Sequence, residues 1–395
     1  MQNFNDKEIS CLNLDDKKAL VNTEGNHQDN IRLVEIKTIS EMIKLKHEWN
    51  RLLFDSKDST PFQSWQWNYA FVKDLKSSEK LKIVAGYNQE DKLVGIAPLK
   101  VTSHRISGIK MLEFIGSRES DYLDFLVEEE YKDFFITELF DFLDECRDWT
   151  MLDFASLREQ TKKLISDQLC VQVSTQTVCP CAFLPSTMEQ YEQLSNRREM
   201  KGIKRQLKKL LPQNSLTYLV SESNEDLKEN VDKFIELHQM RHNSKGEKGH
   251  FRSKNQKEKL HKLSELMFRA GLLKMETLKI DSTIVAINFI FVLNKKKYNY
   301  LSGMHPGYSE FKPGKLLIYY MINDAIKKGY STYDFLQGKE EYKYNWTNCE
   351  IQLYNVTYSR SKKRAYFWKK FQSLRRTIFD SNLVKKISEV IYASS

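Results

Sequence analysis

The sequence predicts a mixed α/β protein in which one domain, a largely antiparallel twisted sheet flanked by helices, occurs twice. The order of strand-like and helix-like segments in the first half recurs in the second half. Two local similarities support this duplication, because residues 94–97 resemble 285–288 and residues 149–154 resemble 331–335. Their offsets of 191 and 181 residues far exceed the period of a solenoid repeat, so each copy is a whole domain.

The elements of the first copy follow from local patterns. Residues 31–36 are strand-like, and residues 39–54 and 64–75 are helix-like. Two β-rich runs, KLKIVAGYN and KLVGIAPLKV, flank a polar turn and therefore predict a hairpin. The later predictions are the strands MLEFIG and YLDFLV, a helix at 131–146 and the strand TMLDF.

The second copy repeats this order. Helical patterns occupy about 187–210, 224–242 and 255–270. LLKMETLKI and TIVAINFIFVL predict a hairpin, and KKKYNYLSGM predicts the next strand. A helix at 315–328 and the strand YDFL complete the copy.

Composition and charge limit the organisation of the chain. Hydrophobic residues make up 41% of the 395 residues, which excludes a protein that is disordered throughout. Residues 1–30 are polar and predict a disordered tail, followed by the two copies at 31–185 and 186–359 and a basic amphipathic tail at 360–395. That last tail holds ten Lys or Arg and two Asp or Glu, or +8 of the net charge of +9. The body is almost neutral, so its charge argues against DNA as a partner.

The cysteines and the apolar stretches indicate a compartment. The six cysteines are scattered through a long chain, so we expect reduced thiols, including Cys179 and Cys181 on a buried strand, in a cytoplasmic protein. The N-terminus lacks the apolar core of a secretory signal, and the longest apolar stretch, 283–293, is too short to span a bilayer. The tail at 360–395 mixes aromatic and basic residues. It could bind RNA or the anionic inner face of a membrane, or pack against the domain.

The segment 298–346 carries most of the candidate chemistry. Its turn Lys312-Pro313-Gly314-Lys315 precedes a helix start, where unpaired backbone N–H groups and the helix dipole attract anions. Gly314 would let a ligand approach the backbone closely. The turn therefore predicts either a phosphate site or a helix start with solvated lysines.

Motifs in this segment resemble those of a known family. GMHPGYSEFKPGKLL is followed by A-x-x-x-G and by YDFLxGxExYKxxW, and PFQSWQW, LVGIAPL, GSRESDYLDFL and LHQMR lie upstream. In these motifs, over roughly residues 31–358, the chain resembles the CelD/BcsL-like acetyltransferases of the GNAT superfamily, relatives of the FemXAB aminoacyltransferases. The resemblance implies a tandem GNAT fold with the donor site in the C-terminal copy.

The resemblance also implies an acyltransferase. It would move an acyl group, with acetyl as the first expectation, from acyl-CoA to an amino or hydroxyl group of a sugar or cell-envelope polysaccharide precursor. Two alternatives stay open, namely aminoacyl transfer from aminoacyl-tRNA and a non-catalytic membrane- or RNA-associating protein on a transferase fold. The superfamily motif Q/R-x-x-G-x-G/A is replaced by K-P-G-K, which leaves the donor in doubt.

The resemblance assigns the residues that would bind the donor. The turn takes the role of the pyrophosphate loop through Lys312, Pro313, Gly314 and Lys315. The preceding strand would offer backbone N–H groups to the thioester oxygen at Leu301, Gly303 and Met304.

Four residues are candidates for catalysis. His305 has a side chain suited to base chemistry near neutral pH, although a loop histidine that bonds the backbone is the alternative. Asp334 is a strand carboxylate, either catalytic or buried and paired. Tyr342 and Lys343 follow that strand, and Lys343 could bind donor phosphate, hold an acid or simply be solvated.

Acceptor binding is assigned to two further groups. The group in the first copy is Asp121, Tyr122 and Asp124, which could also be a polar turn, and the group in the second is His238 and Arg241. His238 and His242 have the spacing of a zinc pair, but the glutamate of the zinc motif and a third ligand are missing, so we expect no metal.

Overall fold

The computed structural model describes residues 30–104, 107–244, 246, 249 and 251–361. The predicted tails therefore lie outside the described residues, apart from the positions nearest the body. Among the described helices, none has the length and apolar character needed to cross a bilayer.

The first half alternates short helices with a run of strands. Its elements are β1 (Arg32–Ile36), α1 (Ile39–Lys44), α2 (Lys46–Asp55), α3 (Trp65–Val72), β2 (Glu79–Tyr87), β3 (Leu93–His104), β4 (Ile109–Phe114), β5 (Leu126–Val127), α4 (Lys132–Glu145), β6 (Met151–Leu157), α5 (Glu159–Gln168) and β7 (Gln172–Phe183).

The second half repeats this arrangement after two added helices. Its elements are α6 (Met188–Leu194), α7 (Arg197–Leu210), β8 (Leu216–Val220), α8 (Asn224–Ser244), α9 (Lys254–Arg269), β9 (Leu273–Ile280), β10 (Thr283–Leu293), β11 (Lys296–Met304), α10 (Pro313–Lys327), β12 (Thr332–Asp334) and β13 (Cys349–Ser359).

Polar side chains define where several helices begin. Thr38 forms a capping box at α1, and Ser253 forms one at α9. Ser64 accepts the Trp67 N–H at α3, and Asn196 accepts two backbone N–H groups at α7. Such caps each contribute about 1 kcal/mol, because they satisfy N–H groups that have no partner within the helix.

The thirteen strands of the described residues form one mixed sheet. The strand order is β1-β2-β3-β4-β6-β13-β7-β12-β11-β10-β9-β8, with β5 beside β3. The pairs β4–β6 and β11–β12 are parallel, whereas the other neighbours on this path are antiparallel. Helices flank this mixed sheet, so the predicted fold class is confirmed.

The two halves exchange their last strands at the centre of the sheet. β7 follows β6 in the chain but pairs with β12, where Cys181 lies opposite Asp334. β13 pairs with β6 instead, and β7 and β13 pair with each other. Each half therefore completes the sheet of the other half. The residues of the two sequence similarities occupy equivalent places, on β3 and β10 and around β6 and β12.

The prediction of a strand at YLDFLV is wrong for most of its length. Only Leu126 and Val127 form a strand, while residues 122–125 form a loop. The reason is that Tyr122 and Asp124 bond to side chains of other elements and are drawn out of a regular ladder.

An apolar core continues across the two halves. Phe62 and Trp67 of the first half pack edge-on against Phe291 of β10, with ring centroids 5.9 and 5.7 Å apart. Trp65 and Trp67 are 3% and 0% exposed, which confirms that they are core residues. Aromatic contacts of this kind contribute about 0.5–1.5 kcal/mol each beyond their buried area. A shared core fixes the halves relative to each other more firmly than a polar domain interface would.

A buried ion pair holds α10 over the sheet of the second half. Lys297 of β11 is 0% exposed and contacts Glu276 of β9 at 2.8 Å and Asp324 of α10 at 3.1 Å. The Tyr218 hydroxyl donates to Glu276 as well. Removing one partner of such a group costs about 3–5 kcal/mol, since a buried charge is left without compensation.

The expectation of reduced thiols is wrong for one pair of cysteines. Cys181 of β7 and Cys349 of β13 form a disulfide between directly opposite positions. Their separation of 168 residues hides this contact from sequence spacing. Cys146 and Cys179 are free, and Cys179 is buried on β7 as predicted.

Removing the disulfide should lower the free energy of unfolding by about 2–4 kcal/mol, because the unfolded chain gains conformational freedom. We expect this loss in Cys181→Ser/Cys349→Ser during urea unfolding under oxidising conditions. Cys146→Ser/Cys170→Ser is the matched control and should change stability far less. In denaturant without reductant, four of the six cysteines should react with a thiol reagent, whereas six reactive thiols would contradict the disulfide.

Candidate functional site

β11 and β12 separate at the centre of the second half. They pair in parallel as far as Tyr298, which lies opposite Asp334. β11 continues beside β10 to Met304, whereas the chain after Asp334 turns away, with Leu336 in the left-handed region at φ 58°. A gap therefore opens along the edge of Leu301–Met304 that faces away from β10. No strand of the described residues pairs with this edge.

A loop of the first half closes one end of this gap. The Tyr122 hydroxyl donates to the Asp334 carboxylate at 2.7 Å, and the Tyr300 hydroxyl of β11 donates to the Glu119 carbonyl at 3.1 Å. Tyr122 and Asp334 are 2% and 3% exposed. The structure thus brings together two residues predicted from separate copies.

Gln337 ties the same loop to the second half. Its backbone N–H donates to the Asp121 carboxylate at 3.2 Å, and its side-chain amide donates to the Asp121 carbonyl at 2.7 Å. The amide also donates to the Ser156 hydroxyl at 2.9 Å. Asp121 as a whole residue is partly exposed.

Burial raises the pKa of the carboxyl groups of Asp121 and Asp334. It raises the pKa of Asp121 to about 7, with the charge of Asp334 adding to the effect and the Gln337 N–H opposing it. Burial likewise raises the pKa of Asp334 to about 6, although bonds from Tyr122 and the Leu336 N–H oppose the increase. Two carboxyl groups that titrate near neutral pH in one cleft are suited to proton transfer.

Lys343 binds the turn that precedes it and that includes Gln337. Its amine is buried and donates to the carbonyls of Leu336 and Gln337 at 3.2 and 2.6 Å, and it pairs with Glu340 at 3.0 Å. The lysine therefore stabilises the turn in which Gln337 contacts Asp121. Tyr342, the adjacent candidate, is 39% exposed at the surface.

The predicted donor turn forms the start of α10. Lys312 is exposed at φ 52°, and Pro313 is the first helical residue. The Lys315 N–H donates to the Lys312 carbonyl at 3.0 Å, and its amine pairs with Glu199 at 2.6 Å. Within the described residues, the Gly314 N–H and the Lys312 amine make no hydrogen bond or ion pair, which leaves both available to an anion.

The end of β11 lies directly against this turn. A Cβ added to Gly314 would collide with the sulfur of Met304, so the two residues touch closely. His305 accepts the Gly307 N–H at 3.1 Å and packs against the Tyr308 ring. Its ring thus takes part in a bond to the backbone, the alternative role that the sequence left open.

The remaining candidates for acceptor binding, Asp124, His238 and Arg241, differ in their exposure. Asp124 is buried and contacts Arg158 at 2.9 Å and Thr161 at 2.6 Å. His238 is buried on α8 among aromatic rings, with the His242 ring 4.4 Å away.

Arg241 of α8 lies near Tyr342, in the segment of the chain that follows β12. It is partly exposed and lies close enough to Tyr342 to lower that phenol's pKa, although burial raises the pKa more strongly. Within the part of the chain that the structure describes, no three His, Cys, Asp or Glu residues are grouped to hold a metal ion.

Three members of the cluster were not predicted. Gln337 occupies the variable position of the motif YDFLxG. A polar residue directly after a strand could have marked it as a candidate site residue. Ser156 has a positive φ of 57° that its sequence context does not reveal. Tyr300 reads as an ordinary strand residue until the register is known.

Comparisons with known proteins agree with this fold. Residues 195–344 match the family model of the acetyltransferase (GNAT) domain. The crystal structure of FemX shares 11% identity, with a TM-score of 0.64 over 85% of this chain and 99% of that chain. Comparison with curated proteins gives no match.

A second solved structure has the same overall fold. It is the C-terminal domain of a putative lysylphosphatidylglycerol synthetase from Agrobacterium fabrum, at 10% identity and a TM-score of 0.54, over 83% of this chain and 95% of that chain. The matched domain indicates an acyltransferase, and the chain shares the fold of FemX. The non-catalytic alternative is therefore set aside.

Replacing Asp334 tests the buried carboxyl group through stability. Because its pKa is raised from 3.8 to about 6, the folded state holds a proton that the unfolded state loses above pH 4. The free energy of unfolding therefore falls as pH rises through this window. Asp334→Asn should remove the fall, so its stability relative to wild type should rise with pH by at most about 1.4 kcal/mol per pH unit.

The measurement is urea unfolding at half-unit intervals from pH 4 to 8. Asp133→Asn, on the exposed face of α4, is the control and should follow the wild-type pH dependence. A constant stability difference between Asp334→Asn and wild type would contradict the raised pKa.

Proposed function

We propose that the protein transfers an acyl group, acetyl in the first instance, from acyl-CoA to an amino or hydroxyl group of a sugar or cell-envelope precursor. The observation that carries this proposal is the Asp121 carboxyl, whose pKa burial raises to about 7, in the cluster of residues beside β11 that includes Tyr122, Asp334 and Gln337. A general base is most effective when its pKa lies near the working pH.

The gap supports the chemistry of acyl transfer. The acceptor nitrogen or oxygen forms a bond to the thioester carbon and gives its proton to Asp121. Backbone N–H groups on the free edge of Leu301–Met304 would stabilise the negative oxygen of the tetrahedral intermediate. The carbon–sulfur bond then breaks, and the proton can return to the departing thiolate.

The start of α10 would hold the donor. The Gly314 N–H, the Lys312 amine and the positive end of the helix dipole suit a diphosphate, and they lie next to the last residue of β11. This arrangement would place the thioester along the strand edge and the nucleotide outside the sheet.

A second candidate function is aminoacyl transfer from aminoacyl-tRNA. It is favoured by the similarity of fold to FemX over nearly the whole of that chain, and by the K-P-G-K turn in place of the usual loop. The two candidate functions use the same gap and the same base, and they differ in the donor. A measurement of donor binding therefore distinguishes them.

Gly314 provides the test of donor binding. In calorimetric titrations of acetyl-CoA, Gly314→Asp should weaken binding at least 100-fold, because a carboxylate would replace the anion at the helix start. Gly314→Ala is the matched control, since it makes the same contact with Met304 without the charge, and it should lose less than tenfold. Equal affinity of wild type and Gly314→Asp would refute this donor site, and tRNA binding without CoA binding would select the second candidate.

Asp121 provides the test of the base. With acetyl-CoA and hydroxylamine as a generic acceptor, kcat/KM should rise with pH through about 7 in wild type as Asp121 loses its proton. Asp121→Asn should lower kcat/KM at least 100-fold and remove this rise. Asp133→Asn again serves as control, and an unchanged profile in Asp121→Asn would assign the base elsewhere.

A further inference from the structure

The helix α7 carries an exposed cationic face that the proposed reaction does not use. It contains seven Lys or Arg and a single acidic residue, Glu199, within its 14 residues. All seven cations are exposed, whereas Met200, Ile203 and Leu210 are buried against the body. At about 100° per residue, the cations occupy an arc of about 140° that lies opposite these three buried side chains. The cationic face therefore points away from the body into solvent.

The charge of this face is not balanced by its surroundings. Lys204 pairs with Glu192 of α6. In the part of the chain that the structure describes, no carboxylate lies within ion-pair distance of the other six cations. The 359 residues before the basic tail carry a net charge of +1. Because α7 holds seven cations and one acid, the rest of that segment carries −5, so the positive charge is concentrated on this face.

Two polar contacts add to the apolar packing that holds α7 on the body. Glu199, at the edge of the buried side of the helix, pairs with Lys315 of α10 at 2.6 Å. Asn196, which caps α7, donates from its side chain to the Asn345 side chain at 2.9 Å. Because the helix is already packed and capped, its backbone need not become ordered when the cations meet a partner.

Two large apolar side chains flank the cationic face. Leu194, the last residue of α6, is 59% exposed, and Leu211, directly after α7, is 56% exposed. Leu194 is three residues from Arg197, so their Cα atoms are at most about 11 Å apart. Leu211 keeps helical φ and ψ angles and follows Lys204 by seven residues, which places both on the same side of the helix. A bilayer surface matches this combination, since its charged headgroups cover an apolar layer.

We propose that the cationic face of α7, together with Leu194 and Leu211, docks the protein on an anionic membrane surface. Lys and Arg near such a surface are attracted by negative headgroups, and apolar side chains beside them enter the acyl boundary. The helix contains no aromatic residue. Sites for single-stranded nucleic acid combine cations with aromatic rings that stack on bases, so a lipid surface fits this face better than RNA does. The inference does not depend on the donor or the acceptor of the proposed reaction.

The test is co-sedimentation of the full chain with phosphatidylcholine vesicles that contain or lack phosphatidylglycerol. Wild type should bind the vesicles with phosphatidylglycerol at least about tenfold more tightly, and added salt should weaken that binding. Lys201→Gln/Arg205→Gln/Lys208→Gln, at the centre of the arc, should lower the affinity for these anionic vesicles at least about tenfold. The tail at 360–395 is present in every protein compared, so its own binding does not distinguish them.

The matched control removes three exposed lysines from another helix. Lys254→Gln/Lys257→Gln/Lys262→Gln takes the same charge from α9 and should lower the affinity for anionic vesicles less than about threefold. Both triple variants should keep the thermal midpoint of wild type, because all six side chains are exposed.

The two leucines supply a test that does not depend on charge. Leu194→Ser/Leu211→Ser should weaken binding to the anionic vesicles at least about fivefold, because two apolar side chains no longer enter the bilayer. Ile43→Ser/Phe54→Ser is the control, since these side chains of α1 and α2 are 46% and 49% exposed, and it should bind as wild type does.

Three results would overturn the inference. The first is equal binding of wild type to both kinds of vesicle, and the second is an equal loss of affinity in the α7 and α9 triple variants. The third is unchanged vesicle binding in the α7 triple variant together with loss of binding to a single-stranded RNA oligonucleotide, which would assign the face to nucleic acid. Titration of acetyl-CoA into the same proteins tests the proposed function separately, because these variants leave Gly314 and Asp121 in place.

Discussion

The pairing of β7 with β13 at the centre of the sheet is the constraint on which the rest of the structure depends. Each of these strands belongs to one half by sequence and completes the sheet of the other half. The disulfide between Cys181 and Cys349 links the same two strands. Because Cys181 lies opposite Asp334, this pairing also fixes the point at which β11 and β12 separate.

The apolar core that the two halves share affects the pKa of the carboxyl groups in the cluster. Phe62 and Phe291 exclude water from one side of the cluster, and Tyr122 covers Asp334. A carboxyl group in such surroundings keeps its proton to a higher pH than it would in water. The cluster therefore combines two carboxyl groups whose pKa burial raises, that of Asp334 to about 6 and that of Asp121 to about 7.

Much of the candidate site could be predicted from residue types and motifs. Asp121, Tyr122, Asp334 and Lys343 lie in motifs of the acetyltransferase resemblance, and the structure brings all four into one cluster. Their individual roles could not be predicted, since a role depends on exposure and partners. From the sequence, Lys343 could bind donor phosphate, hold an acid or be solvated, whereas in the structure its buried amine donates to two carbonyl groups and pairs with Glu340.

The sequence by itself determined the mixed α/β class, the duplication and the helix that follows the turn at 312–315, because these follow from local periodicity, turn residues and repeated motifs. Tertiary structure alone decided the strand exchange, the disulfide between residues 168 apart and the loop conformation of residues 122–125. These features depend on contacts between distant segments. Local patterns predict hairpins but carry no information on which strands far apart in sequence become neighbours, so only the folded chain shows that Asp121 and Gln337 meet.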